Sequence, residues 1–168
     1  TTKGFTDEGV QVLTVIANKI NIENDEAIRQ QLVNALPKDI IVTSIPSNKD
    51  LGNPTMKEIF ESVGGRILVG ENLMSNQVDT SIVGAMQLRN CLTRLQKNTL
   101  IVTPGDRGDI IIGALVANIS KSFEKIAGII LTGGLEPEPT ILKLIEGLDT
   151  VVPIILVKTG TFKTVTRV

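Results

Sequence analysis

Two runs of apolar and β-branched residues, Leu100-Ile101-Val102 and Ile126 to Leu131, lead straight into glycine-containing loops. The loops are Thr103-Pro104-Gly105-Asp106-Arg107-Gly108-Asp109 and Leu131-Thr132-Gly133-Gly134, and a helix-like stretch follows each. This order restricts the fold more than any other feature of the chain. Strand, loop and helix in succession are the elements of a βα unit, because parallel neighbours in a sheet need a crossover and the crossover is normally a helix. Both loops therefore open at the carboxyl ends of parallel strands, where open α/β sheets place their ligands.

The same alternation extends along the chain. Val10 to Ile16 reads as a buried strand. Ile28, Leu32, Val33 and Leu36 have helical spacing behind a cap at Asn24 or Asp25, and Pro37 stops that helix. Ile40 to Thr43 is the next strand, and Ser47 to Asn53, with Lys49 and Asp50, is a polar solvated loop. Met56, Ile59, Phe60 and Val63 form one face of a helix ended by Gly64-Gly65. Further strands are expected at Arg66 to Val69, Ser81 to Met86 and Pro153 to Val157, and helices at Gln87 to Gln96, Ile110 to Ile119 and Pro139 to Leu148. The expected fold is α/β, with a mostly parallel sheet and helices on both faces, in three layers. A division near Gly64-Gly65 gives a first region at 1–64 and a second at 65–168.

Composition removes several classes of function. The net charge of −1 and an aromatic content of 2% leave neither an electrostatic footprint nor stacking platforms for nucleic acid. The chain has no His, which excludes Ser-His and Cys-His hydrolysis and the usual zinc sites. Catalysis would fall to carboxylates, Lys, Arg or backbone amides. The single cysteine, Cys91, forms no internal disulfide and reads as a small core residue. With no leader-like segment and no apolar run of membrane-spanning length, a reducing cytoplasm is expected. The ends, at Thr1 and Val168, read as those of a segment cut from a longer protein.

Helix-start chemistry accounts for most of the first loop. Gly105 makes the turn, Asp106 caps the helix, Asp109 lies where the helix dipole favours negative charge, and Gly108 permits close packing. Arg107 is left over, since a cation is disfavoured at that end. It needs an anionic partner in Asp109, another loop, a second subunit or a ligand. A phosphate cradle is disfavoured by the net negative charge of the loop, and a metal held by both carboxylates has no further signature. In the second loop Gly133 and Gly134 permit positive φ, and Thr132 offers its hydroxyl to the shared edge, where Arg107 could bond to Thr132 or its carbonyl. Asp106, Arg107, Asp109, Thr132, Gly133 and Gly134 are therefore the candidate ligand or interface residues. No catalytic residue, metal ligand or cofactor is assigned. The helix at Ile110 to Ile119 is apolar nearly all round, and Gly113, Ala114 and Ala117 suit close helix packing, within the subunit or across a dimer.

Asp106, Arg107, Thr132, Gly133 and Gly134, with Pro153 to Val157 and Thr161-Phe162 beyond them, resemble the DRTGG domain over about Arg66 to Val168. Val15 to Lys19 and Ile45 to Thr55 resemble late strands and loops of the dethiobiotin-synthetase-like P-loop domain. That order of domains is similar to the N-terminal region of long-form phosphate acetyltransferases. The resemblance implies a non-catalytic segment concerned with regulation by metabolites and with oligomer assembly, followed in the parent chain by a C-terminal acetyltransferase domain. The chain departs from the P-loop pattern: no G-x-x-x-x-G-K-[ST] string occurs, and Ile20-Asn21 follows Asn18-Lys19 with no acid to complete a base-reading motif. Gly160 also stands where related sequences tend to carry an acid. Three readings remain open: a regulatory and oligomerisation segment, a sensor of a nucleotide or metabolite, and the remnant of an ATP-dependent P-loop enzyme.

Overall fold

The computed structural model describes residues 2–48, 52–148 and 152–168. Lys49, Asp50 and Leu51 of the expected polar loop lie outside the described residues. The chain divides into two compact units, Thr1–Gly52 and Asn53–Val168.

The first unit comprises α1 (Thr2–Asp7), β1 (Thr14–Ile20), α2 (Asp25–Ala35) and β2 (Ile41–Pro46). β1 and β2 pair in parallel, with Thr14 opposite Ile41 and Ala17 opposite Ser44. The strand expected at Val10 to Ile16 begins four residues later and is not buried: Leu13 and Ile16 are 66% and 53% exposed. A central strand needs a neighbour on each side and cover on each face, and among the described residues of this unit β1 has a single partner. α2 packs on both strands, with Ile28, Leu32 and Leu36 half-buried.

The second unit carries a five-stranded sheet in the order β3-β7-β6-β5-β4, formed by β3 (Arg66–Val69), β4 (Thr80–Val83), β5 (Thr99–Pro104), β6 (Ile126–Thr132) and β7 (Ile154–Leu156). Four strands run parallel, and β3 lies antiparallel on the β7 edge. Side chains alternate across a strand. Ile101, Ile129, Leu131, Ile154 and Leu156 accordingly pack on one face against α4 (Leu88–Leu92), α5 (Gly108–Ile119) and α6 (Pro139–Glu146). Leu100, Val102, Ile130, Ile155 and Val157 pack on the other face against α3 (Met56–Val63), with Val165 of α7 (Thr161–Val165). The expected three layers, with a mostly parallel sheet and helices on both faces, are present.

α3 belongs to this second unit, although a division at Gly64-Gly65 leaves it in the first region. Its Met56, Ile59 and Val63 are buried in the core of the larger sheet. The helix begins in a capping box: the Thr55 N–H donates to Glu58 Oε2 at 2.7 Å, and the Glu58 N–H donates back to Thr55 Oγ1 at 3.3 Å. The Thr55 N–H and the Thr55 hydroxyl, which donates to Glu58 Oε2 at 2.9 Å, hold the Glu58 carboxyl below its ordinary value. β4 is shorter than the apolar run at 81–86 suggests, because the chain leaves the sheet at Gly84. α4 is likewise shorter than the run at 87–96.

Candidate functional site

Each candidate residue lies at the carboxyl edge of β5 or β6. Pro104 and Thr132 are opposite each other in the last register pair of these strands. The two loops thus start side by side, and backbone atoms hold them together. The Gly105 N–H donates to the Thr132 carbonyl at 3.4 Å. A Cβ on Gly105 would stand 1.6 Å from the Leu135 carbonyl oxygen, so only glycine lets the second loop cross the first here. A Cβ on Gly108 would lie 3.2 Å from the Ile141 side chain, which agrees with its expected role in close packing of α5 on α6.

Arg107 is the N-cap residue of α5 and makes no side-chain cap bond, and Asp106 is exposed. The cap expected from Asp106 is therefore not the arrangement found. Instead the Arg107 side chain folds back along the start of α5. Its Nε and Nη2 donate to the two carboxylate oxygens of Asp109, each at 2.8 Å. Nη2 also donates to the Met86 carbonyl at 2.9 Å, and Nη1 to the carbonyls of Ala85 and Gly84 at 3.3 and 3.5 Å. A guanidinium has five N–H donors, and these five acceptor contacts account for all of them. The fork holds Asp109 below its ordinary carboxyl value and raises Arg107 further. Three carbonyls of the β4–α4 loop thereby gain a charged donor, so the cation left unexplained by the sequence braces that loop to the start of α5.

Thr132 does not meet Arg107. Its buried hydroxyl pairs with the Thr161 hydroxyl at 2.7 Å. Gly133 and Gly134 have φ of +82° and +67°, and their N–H groups donate to the carbonyls of Thr159 and Val157, each at 2.9 Å. The second loop is thus anchored to the chain after β7 by side chain and backbone together. The glycine turn was legible in the sequence, but its partner strand was not, because the sheet order decides which loop is adjacent. At Gly160 a Cβ would meet nothing within 4 Å.

The anchoring borders a cleft of about 490 Å³ that sequence reasoning missed. Its lining is mainly apolar, with Val63 and Leu156 contributing only the small part of each that is not buried, and Arg66, Glu136 and Lys158 stand around it. Arg66 Nη2 reaches Glu136 Oε1 at 2.6 Å. The sequence signal for this cleft was the pair of cations at the start of β3 and the end of β7, which pairing of those strands brings together. Cys91 is the buried residue of α4, and burial pushes its thiol up, in keeping with a core residue. No helix among the described residues is long and apolar enough to cross a membrane, and no group of three or more potential metal ligands occurs among them.

A mixed α/β domain whose two glycine loops are locked at the carboxyl edge of the sheet is the class these features define. The DRTGG domain profile matches residues 58–168, and the chain belongs to that family. The phosphate acetyltransferase of Nitratidesulfovibrio vulgaris is 35% identical over 166 residues, covering 95% of this chain and 23% of the relative. That of Synechocystis is 39% identical over 165 residues, covering 97% of this chain and 24% of the relative. The chain thus spans about a quarter of the length of these relatives. Among solved structures, the CBS and DRTGG domains of the regulatory region of Clostridium perfringens pyrophosphatase, complexed with the activator diadenosine tetraphosphate, share the fold. That match has a TM-score of 0.54 and 12% identity, and covers 93% of this chain and 72% of that one.

Proposed function

We propose that this chain is a non-catalytic regulatory and assembly segment of a phosphate acetyltransferase, placed N-terminal to the domain that moves acetyl between acetyl-CoA and phosphate. The observation that carries the reading is the match with phosphate acetyltransferases over nearly the whole chain but only 23–24% of their length. The braced loops support it. Arg107 has spent its donors on Asp109 and three carbonyls, which suits a rigid scaffold better than a reacting group. In this reading Asp106, Arg107, Asp109, Thr132, Gly133 and Gly134 are a structural edge through which the segment docks or transmits an effector signal, and the segment works in the cytoplasm. The pyrophosphatase regulatory region is complexed with a nucleotide activator, and by analogy this segment answers a small-molecule effector. The first unit is read as the end of a dethiobiotin-synthetase-like region, supported by its parallel strand pair and exposed apolar positions.

Assembly is assigned to the outer side of α5. Val116 and Ile119 are 53% and 45% exposed there, beside an apolar groove lined by Leu88, Leu92 and Ile112. The occupant proposed is a second copy of this chain. Gly113 serves packing within the subunit, since a Cβ there would stand 2.3 Å from Leu88 Cδ1. The reading is tested by assaying the purified segment for phosphate-dependent release of CoA from acetyl-CoA. No turnover is expected; turnover at an enzymatic rate would overturn it.

A further inference from the structure

We propose that the cleft between Arg66 and Lys158 binds a small organic anion, a carboxylate or phosphate monoester carried on an apolar body. Topology is the first support. The helices α4, α5 and α6 all lie on one face of the sheet, whereas the chain after β7 turns to α7 on the other. The neighbouring strands β6 and β7 therefore send their loops to opposite faces, and the crevice at such a switch point is where open α/β sheets take ligands. The cleft lies there, with Gly134 and Glu136 on one side and Lys158 and Thr159 on the other.

Backbone contacts fix its walls. The Gly133 and Gly134 N–H groups are bonded to the β7 side, and a Cβ on Gly65 would stand 2.3 Å from the Leu156 carbonyl oxygen. Its volume of about 490 Å³ falls within the usual range for small-ligand sites. Charge selects the ligand. Arg66 and Lys158 outnumber Glu136, so the cleft carries one surplus positive charge. Among the described residues Glu136 is the single hydrogen-bonding partner of the Arg66 guanidinium, and the Lys158 ammonium has none. Arg107, by contrast, has no donor left. The mainly apolar lining takes the body of the ligand while the two cations hold its anionic group.

The proposal rests on the regulatory reading above, and its test separates the two. The full-length protein is titrated calorimetrically with adenosine 5′-monophosphate and, separately, with 3-phenylpropionate. Adenosine and inorganic phosphate serve as the uncharged body and the anion without a body. One of the two organic anions is expected to bind saturably and more tightly than either control, and the one that does identifies the anionic group. Arg66→Gln and Lys158→Gln should each weaken binding about tenfold or more. Glu136→Gln should tighten it by removing the competing carboxylate, and Arg107→Ala should leave it within about twofold. Unchanged urea midpoints in the Arg66 and Lys158 variants exclude misfolding. Absence of binding by both anions, or binding that survives the Arg66→Gln/Lys158→Gln double substitution, would overturn the assignment. The regulatory reading would then stand if effector response still depends on residues 53–168. Binding that needs Arg66 and Lys158, in an enzyme whose regulation does not need this segment, keeps the cleft and removes the regulatory reading.

Discussion

The Cα of Gly105 faces the backbone of Leu135 so closely that a Cβ there would stand 1.6 Å from the Leu135 carbonyl oxygen. No rotamer relieves an overlap with backbone. Gly105→Ala is therefore expected to push the two signature loops apart and destabilise the domain by about 3 kcal/mol, at the upper end of overpacking costs. Gly147→Ala, whose Cβ meets atoms at an ordinary 3.6 Å, should change stability by less than about 0.5 kcal/mol. Urea midpoints of the two variants check the contrast.

Arg107 ties the start of α5 to the loop after β4. Arg107→Ala leaves three carbonyls without their charged donor and is expected to cost about 1–2 kcal/mol, with partial exposure limiting the loss. Arg107→Lys should recover little of it, since an ammonium cannot reproduce the fork on Asp109. Hydrogen exchange should speed up at Gly84 to Met86 in both variants.

Asp109 makes this brace sensitive to acid. Its folded carboxyl lies below the ordinary 3.8, chiefly because Arg107 donates to it. A group depressed in the folded state contributes stability that is fully present above its unfolded value and is lost as pH falls through the folded one. The stability difference between the parent chain and Asp109→Asn should accordingly be constant near neutrality and shrink below about pH 4. Denaturation midpoints across that range test the sign, and a difference that grows on acidification would contradict it.

Cys91 is 1% exposed, and burial raises its thiol. A protonated, covered thiol is a poor nucleophile. Alkylation at pH 8 should be slow in the native protein and should follow global unfolding as urea is added.

The outer face of α5 is tested by Val116→Glu. A carboxylate at a 53% exposed position should leave the monomer folded and break an apolar interface between copies. Sedimentation should show a lower mass than for the parent chain.

How much of this could be read from the sequence varies with how local the cause is. The strands at 66–69 and 126–131 and the three layers were legible, because short apolar, β-branched runs and the glycine loops after them are local signals. The pairing of Arg107 with Asp109 was legible as one of several choices, since two residues on one helix start can always meet. Its grip on the carbonyls of Gly84 to Met86 was not, because backbone acceptors leave no trace in residue type. The Thr132–Thr161 bond and the cleft beside it depend on β6 and β7 being neighbours, with β3 antiparallel at the edge. That order is a property of the sheet, not of any segment. The exposure of β1 escaped the sequence reading for a related cause: apolar runs state that a strand is covered, not by what.

In the proposed role this segment regulates and assembles a phosphate acetyltransferase without taking part in its chemistry. The most direct test compares the full-length enzyme with a form lacking residues 1–168, measuring acetyl transfer, its response to effectors and mass in solution. Acetyl transfer is expected to persist while effector response and the larger assembly are lost. Loss of acetyl transfer from a truncated enzyme that is folded and binds acetyl-CoA, or an unchanged effector response, would contradict it.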